Sequence, residues 1–157
     1  MKRRPIPLGR QKQRQRGSMA VEFAIIFPLF FYVFYAIVTY SLIFVAQQSL
    51  TLAAEEGARA ALRYQTGAST VAQSLALRST AACQTAQNLT NWLSSLAQCT
   101  ATPAACTYNA SLSCIQVTLN YAYSTNPLVP TLPLLSLALP SALQANAMVQ
   151  LDPNNVL

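Results

Sequence analysis

Histidine is absent from the 157 residues, and the acids number only four: Glu22, Glu55, Glu56 and Asp152. A catalytic nucleophile needs a base within reach, and no triad or acid–base pair can be assembled from this set. Glycine is scarce as well, with four in the chain, and no glycine-rich phosphate loop occurs. Without histidine, and with no close C-x2-C spacing among Cys83, Cys99, Cys106 and Cys114, a zinc site is not expected. These shortages point away from an enzyme and call for no cofactor. No internal repeat is visible. Charged residues make up 9% of the chain against 53% hydrophobic, a low share for a free soluble domain.

The charge that exists is concentrated. Seven of the ten basic residues, Lys2, Arg3, Arg4, Arg10, Lys12, Arg14 and Arg16, precede the first acid. Residues 23–46 then carry no charge at all. As a helix they reach about 36 Å, enough to cross a hydrocarbon core with some tilt. Phe27, Phe30, Phe31, Tyr32, Phe34 and Tyr35 crowd the stretch, and Pro28 sits inside it, where it frees a backbone carbonyl and tends to bend the helix. A basic run abutting a span sets topology by the positive-inside rule, so the leader is expected in the cytoplasm and nucleic acid is not an expected partner. The apolar run is longer than a cleaved secretory signal's and lacks a small-x-small site after it, so it stays in the mature protein. The remaining length leaves room for one modest domain.

At the mouth of the span stands Arg16-Gly17-Ser18-Met19-Ala20-Val21-Glu22-Phe23. A carboxylate at that depth is costly unless it has a partner. Prepilin-type leaders have this arrangement: the bond after the glycine is cut, which here makes Ser18 the new N-terminus and Glu22 the fifth mature residue.

Beyond the span, Ala46, Leu50, Ala53, Gly57, Ala61 and Tyr64 fall on one helical stripe, and Ala53, Gly57 and Ala61 form a small-residue lane that admits a second helix closely. Glu55 and Glu56 stand at favourable spacing before Arg59. Gly67 marks the expected helix end. A second helix is predicted over residues 69–96 from Val71, Leu75, Ala82, Ala86, Leu89, Leu93 and Leu96. The composition from Cys99 onward reads as a loop, residues 115–123 alternate as a half-buried strand, and residues 142–151 pair back as another. Between them, Pro127, Pro130, Pro133 and Pro140 exclude a long helix from an otherwise apolar segment that covers the domain or lies near the membrane face. The expected fold class is α+β: a long membrane-spanning N-terminal helix continuing into a small periplasmic domain with a second helix and a short antiparallel sheet. The expected division is a cleaved leader over residues 1–17, the helix over 18–66 with its span at 23–46, and a domain over 67–157.

All four cysteines follow the span and therefore face an oxidising compartment, which favours disulfides. Of the three pairings, one containing Cys83–Cys99 is disfavoured, because a helix through residue 96 sets these two roughly 24 Å apart. Cys99–Cys106 with Cys83–Cys114 is the preferred solution.

Residues 16–24 through Pro28-Leu29 resemble the N-terminus of TadE-like proteins, pseudopilins of the tight-adherence (Flp-type) pilus system. Ala53-Ala54-Glu55-Glu56-Gly57-Ala58-Arg59-Ala60-Ala61 is similar to that family's helical continuation. The resemblance is specific over residues 16–64. It implies a minor pilin or pseudopilin, cut by a prepilin peptidase between Gly17 and Ser18. Such a protein sits in the inner membrane with its C-terminal domain in the periplasm. Its implied partners are the peptidase, the major and minor pilins and the pilus assembly platform. Glu22 would serve processing and assembly, pairing with a Ser18 amine, and the Ala53-Gly57-Ala61 lane would pack between subunits. The competing readings are a single-span envelope anchor or adhesin-type binding module outside any filament, and a TadF-type relative.

Overall fold

The computed structural model describes residues 14–152, apart from 94, 95 and 134, with side chains from Met19 onward. Most of the basic leader (Lys2, Arg3, Arg4, Arg10 and Lys12) lies outside the described residues. The chain divides into two units, Met1–Tyr40 and Ser41–Leu157. Helix α1, Arg14–Ala61, runs through the boundary and is assigned without a break across Pro28.

In the first unit α1 is exposed along nearly all of its described length. Its aromatic rings contact one another at helical spacing, with centroids 5.3 Å apart for Phe23–Phe27 and 5.8 Å for Phe27–Phe31. The Thr39 hydroxyl donates to the Tyr35 carbonyl one turn back, so its polar atom is satisfied by the helix itself.

The second unit is built on the last third of α1. Helix α2, Val71–Leu89, is N-capped by Thr70, whose hydroxyl accepts from the Gln73 amide, while the Gln73 side chain reaches back to the Ser69 amide. A short 3-10 turn, Asn91–Leu93, comes next. Strands β1 (Gln98–Cys106), β2 (Asn109–Tyr121) and β3 (Leu143–Gln150) form an antiparallel sheet in the order β1-β2-β3. Ile115, Val117, Leu119 and Tyr121 of β2 face inward with Ala145 of β3 and meet Leu50, Ala53, Ala54, Ala58 and Ala61 of α1 and Ala82 and Ala86 of α2. With small residues on both helices, the backbones approach closely and the larger side chains come from the sheet. The fold is α+β.

Three expectations need correction. The first helix ends at Ala61, not near Gly67: Leu62 and Arg63 donate to Arg59 and Ala60 in a tightened last turn, and Gly67 lies in the loop beyond at φ 95°. The second helix ends at Leu89, where the Thr90 hydroxyl donates to the carbonyls of Ala86 and Gln87 and the chain turns away. Its buried face is Ser74, Arg78, Ala82 and Ala86, while Val71, Leu89 and Leu96 of the predicted stripe are exposed. The stretch from Cys99, read as a loop, is strand β1. It is an edge strand, where Pro103 is tolerated because an outward-facing position needs no N–H donor.

Candidate functional site

The residues singled out in the sequence fall mainly in two regions: the N-terminal part of α1, and the small-residue surface where α1 meets α2 and the sheet. Gly17 and Ser18 fall within α1, with side chains outside the described set. Glu22 is exposed on α1 among exposed apolar residues, including Met19, Val21, Phe23, Ile25 and Ile26. A carboxylate surrounded by side chains of that kind would be costly in a bilayer without a partner.

Ala53, Gly57 and Ala61 are all buried. A Cβ at Gly57 would stand 2.9 Å from the Ala82 carbonyl oxygen, 3.1 Å from Ala86 Cβ and 3.4 Å from Val117 Cγ1. The lane is therefore filled by α2 and β2 of the same chain. The expectation that it packs between subunits is corrected: no free small-residue groove remains there for a neighbouring helix. Glu56 and Arg59 form an exposed ion pair at 2.8 Å, worth a few tenths of a kcal/mol, and Glu55 stands outside that bridge.

The disulfides are Cys83–Cys99 and Cys106–Cys114, with Cα separations of 5.6 and 5.1 Å. The preferred pairing of Cys99 with Cys106 and Cys83 with Cys114 is thus overturned. The distance that disfavoured Cys83–Cys99 presumed an unbroken helix. Because α2 stops at Leu89, β1 begins alongside α2 and brings Cys99 back to Cys83. The second disulfide closes the β1–β2 hairpin, beside a register shift between Ala105 and Cys106. Among the described residues no group of three or more His, Cys, Asp and Glu side chains is arranged to hold a metal ion.

Two features were missed in the sequence. Arg78 is buried and donates from Nη1 to the carbonyls of Ala61 (3.1 Å) and Leu62 (3.2 Å), closing the end of α1, with Nε on the Ser74 hydroxyl. Its placement four residues after Ser74 and four before Ala82, on the buried stripe, was the available signal. Trp92 is half exposed and donates from Nε1 to the Ser49 hydroxyl at 2.9 Å, tying the turn after α2 to α1. No pattern in the sequence joins residues so far apart. A cavity of about 280 Å³ lies between Tyr123, Ser124, Thr131, Ser136, Leu139 and Ser141. Among its described lining residues the ionisable side chain is the Tyr123 phenol.

The architecture is that of a small disulfide-bonded α+β unit whose first helix begins in an apolar segment long enough to cross a membrane. Residues 17–59 match the family model of TadE-like proteins. Over that segment the chain is similar to TadE-like proteins. Comparison with curated proteins and with solved structures gives no match.

Proposed function

We propose that this chain is a minor pilin or pseudopilin of a tight-adherence (Flp, type IVb) pilus, cut after Gly17 by a prepilin peptidase and acting structurally rather than catalytically. The observation that carries the reading is Glu22, exposed near the start of an apolar helix inside the TadE-like segment. Cleavage creates an amine on Ser18, one helical turn before Glu22. That cation, on the same or a neighbouring subunit, is the natural partner for a carboxylate that would otherwise lie unpaired in a low-dielectric setting. Pairing between subunits sets axial register while apolar faces of the N-terminal part of α1 pack together. Because the Ala53-Gly57-Ala61 lane is occupied internally, this packing falls on residues such as Ile25, Ile26, Leu29 and Val33.

The leader stays in the cytoplasm, residues 23–46 cross the inner membrane, and the disulfide-bonded unit lies in the periplasm. Partners are the peptidase, the major and minor pilins and the assembly platform. The test is crosslinking in cells that carry the peptidase, together with mass spectrometry of the purified chain. The expected result is a mature N-terminus at Ser18 and crosslinks to the major pilin. A chain that keeps its leader overturns the processing step. A chain processed at Gly17 but never crosslinked to a pilin instead favours the envelope anchor or adhesin.

A further inference from the structure

We propose that one pole of the Ser41–Leu157 unit, formed by Trp92 and the proline-rich segment of residues 127–140, seats in the headgroup layer of the bilayer that α1 crosses. The inference rests on the membrane-anchored reading above and adds a second, peripheral contact to it.

Height along α1 locates this pole. Within the second unit, α1 begins with exposed Leu42, Phe44 and Val45, the last residues of the uncharged apolar stretch. Trp92 is hydrogen-bonded to Ser49, about 4–5 Å along the axis beyond Ala46. Gln47 Nε2 donates to the Gln144 carbonyl near the start of β3, and Leu128 and Leu139 pack on the cluster that includes Ile43, Ala46 and Leu50, so the proline-rich segment leading into β3 lies at the end of the unit where the apolar stretch ends. From Ile43 to Ser49 is about 9 Å, matching the depth of about 5–10 Å over which interfacial apolar groups bury.

The surface chemistry of this pole fits that place. Trp92 is 51% exposed, Leu96 42% and Leu137, in the 3-10 turn Leu135–Ala138, 86%. A half-exposed indole with its N–H engaged is the side chain that membrane interfaces favour. Pro127, Pro130, Pro133 and Pro140 have no N–H, so this irregular backbone carries fewer donors to desolvate. Its carbonyls can still meet water among headgroups, which the hydrocarbon core would not supply.

Charge is segregated to the opposite pole. No charged residue occurs between Arg78 and Asp152. Glu55, Glu56, Arg59 and Arg63 lie on or just past the far end of α1, and Arg78 is bonded to the carbonyls there. Asp152 comes directly after Leu151, whose amide is bonded to Ser113, beside the hairpin end closed by Cys106–Cys114. Seating the Trp92 pole therefore desolvates no formal charge, and the unit keeps its charged groups in water.

Trp92 is the sole tryptophan, so its fluorescence reports the contact directly. The full chain is reconstituted into phosphatidylethanolamine–phosphatidylglycerol vesicles and checked by flotation. The expected result is blue-shifted emission, poor access to iodide, and stronger quenching by lipids brominated near the headgroup end of the acyl chain than near its terminal methyl. In the Trp92→Phe, Leu137→Trp double variant the new indole should show the same shallow quenching. Flotation with Trp92 open to iodide and untouched by brominated lipid overturns the inference while leaving the anchor intact. Protection from iodide without quenching by brominated lipid overturns it too, since the face is then covered by protein. Failure to float removes the anchored reading and this inference with it.

Discussion

Arg78 Nη1 donates to the carbonyl oxygen of Ala61 across 3.1 Å, so a cation on α2 closes the C-terminus of α1. The last carbonyls of a helix lack intrahelical donors, and its dipole leaves partial negative charge there. Arg78 answers both, and through Leu62 it also holds the chain as it leaves the helix. Its long stem lets a charged residue lie on a face otherwise made of Ser74, Ala82 and Ala86.

Replacing Arg78 should therefore destabilise more than a surface arginine would. Arg78→Met keeps most of the stem and removes the donors, leaving buried carbonyls unpaired, at a cost of about 2–3 kcal/mol. Arg78→Lys should recover only part of this, because one ammonium does not reproduce the guanidinium fork. Urea midpoints of the full chain in detergent read the order wild type, Lys, Met. Equal stability for all three refutes the capping role.

Gly57 and Gly67 make a contrasting pair. Gly57→Ala gains about 1 kcal/mol of helix propensity but forces a methyl against the Ala82 backbone at 2.9 Å. Overpacking of that kind costs about 1–3 kcal/mol, so the net change should be destabilising. Gly57→Leu should fail to fold. Gly67→Ala meets no atom within 4 Å, yet its φ of 95° imposes about 1–2 kcal/mol of backbone strain. Thermal midpoints, with Ala76→Gly at an exposed position of α2 as a propensity control, separate clash from strain.

Non-reducing peptide mapping should find Cys83 joined to Cys99 and Cys106 to Cys114, with no free thiol in chain isolated from the envelope. By loop-closure entropy each bridge is worth about 2.5–3 kcal/mol. Removing either pair by double alanine substitution should lower the urea midpoint by a similar amount. Four reactive thiols in envelope protein would place the unit in a reducing compartment instead.

Burial pushes the Tyr121 phenol above its usual pKa of 10. The unfolded chain then ionises first as pH rises, so this contribution is fully present below pH 10 and is lost through the higher folded value. Stability should fall above pH 10. Tyr121→Phe loses the hydrogen bond to the Asn126 carbonyl at 2.6 Å, about 1 kcal/mol at neutral pH, and should flatten that alkaline decline. Urea titrations at several pH values check both effects.

For Glu22, the charge rather than the size is at stake. Glu22→Gln keeps the shape and removes the Coulombic partner for a Ser18 amine. Membrane insertion and some cleavage at Gly17 should survive, while association with other pilins is lost. Glu22→Leu should insert at least as well and be equally defective. Wild-type piliation of a deletion strain by both variants would remove the inter-subunit ion pair from the mechanism.

Features set by neighbours along the chain are legible in the sequence. The uncharged stretch at residues 23–46, the basic leader before it and the Gly17-to-Glu22 spacing are linear properties, and solvation free energy acts on them directly. So is the alternation of β2, whose inward residues Ile115, Val117 and Leu119 are those that the period-2 pattern selects. The lane at Ala53, Gly57 and Ala61 is visible as a place for close approach, but the pattern does not say which element approaches it.

Tertiary structure alone decided the rest, because it turned on where one helix stopped. Nothing in residues 71–96 breaks the apolar period strongly. The end at Leu89 comes from the Thr90 hydroxyl taking the last carbonyls and from the sheet competing for the residues after it. That stop let β1 lie against α2, joined Cys83 to Cys99, and made a strand of a segment whose composition reads as loop. Arg78 reaching the end of α1 and Trp92 reaching Ser49 come from the same docking. Sequence by itself determined what must avoid water and which stretch is long and apolar enough to cross a membrane, since those preferences belong to each residue. Which side chains meet across the core depends on contacts between distant segments, and these exist only once the helices and sheet have packed.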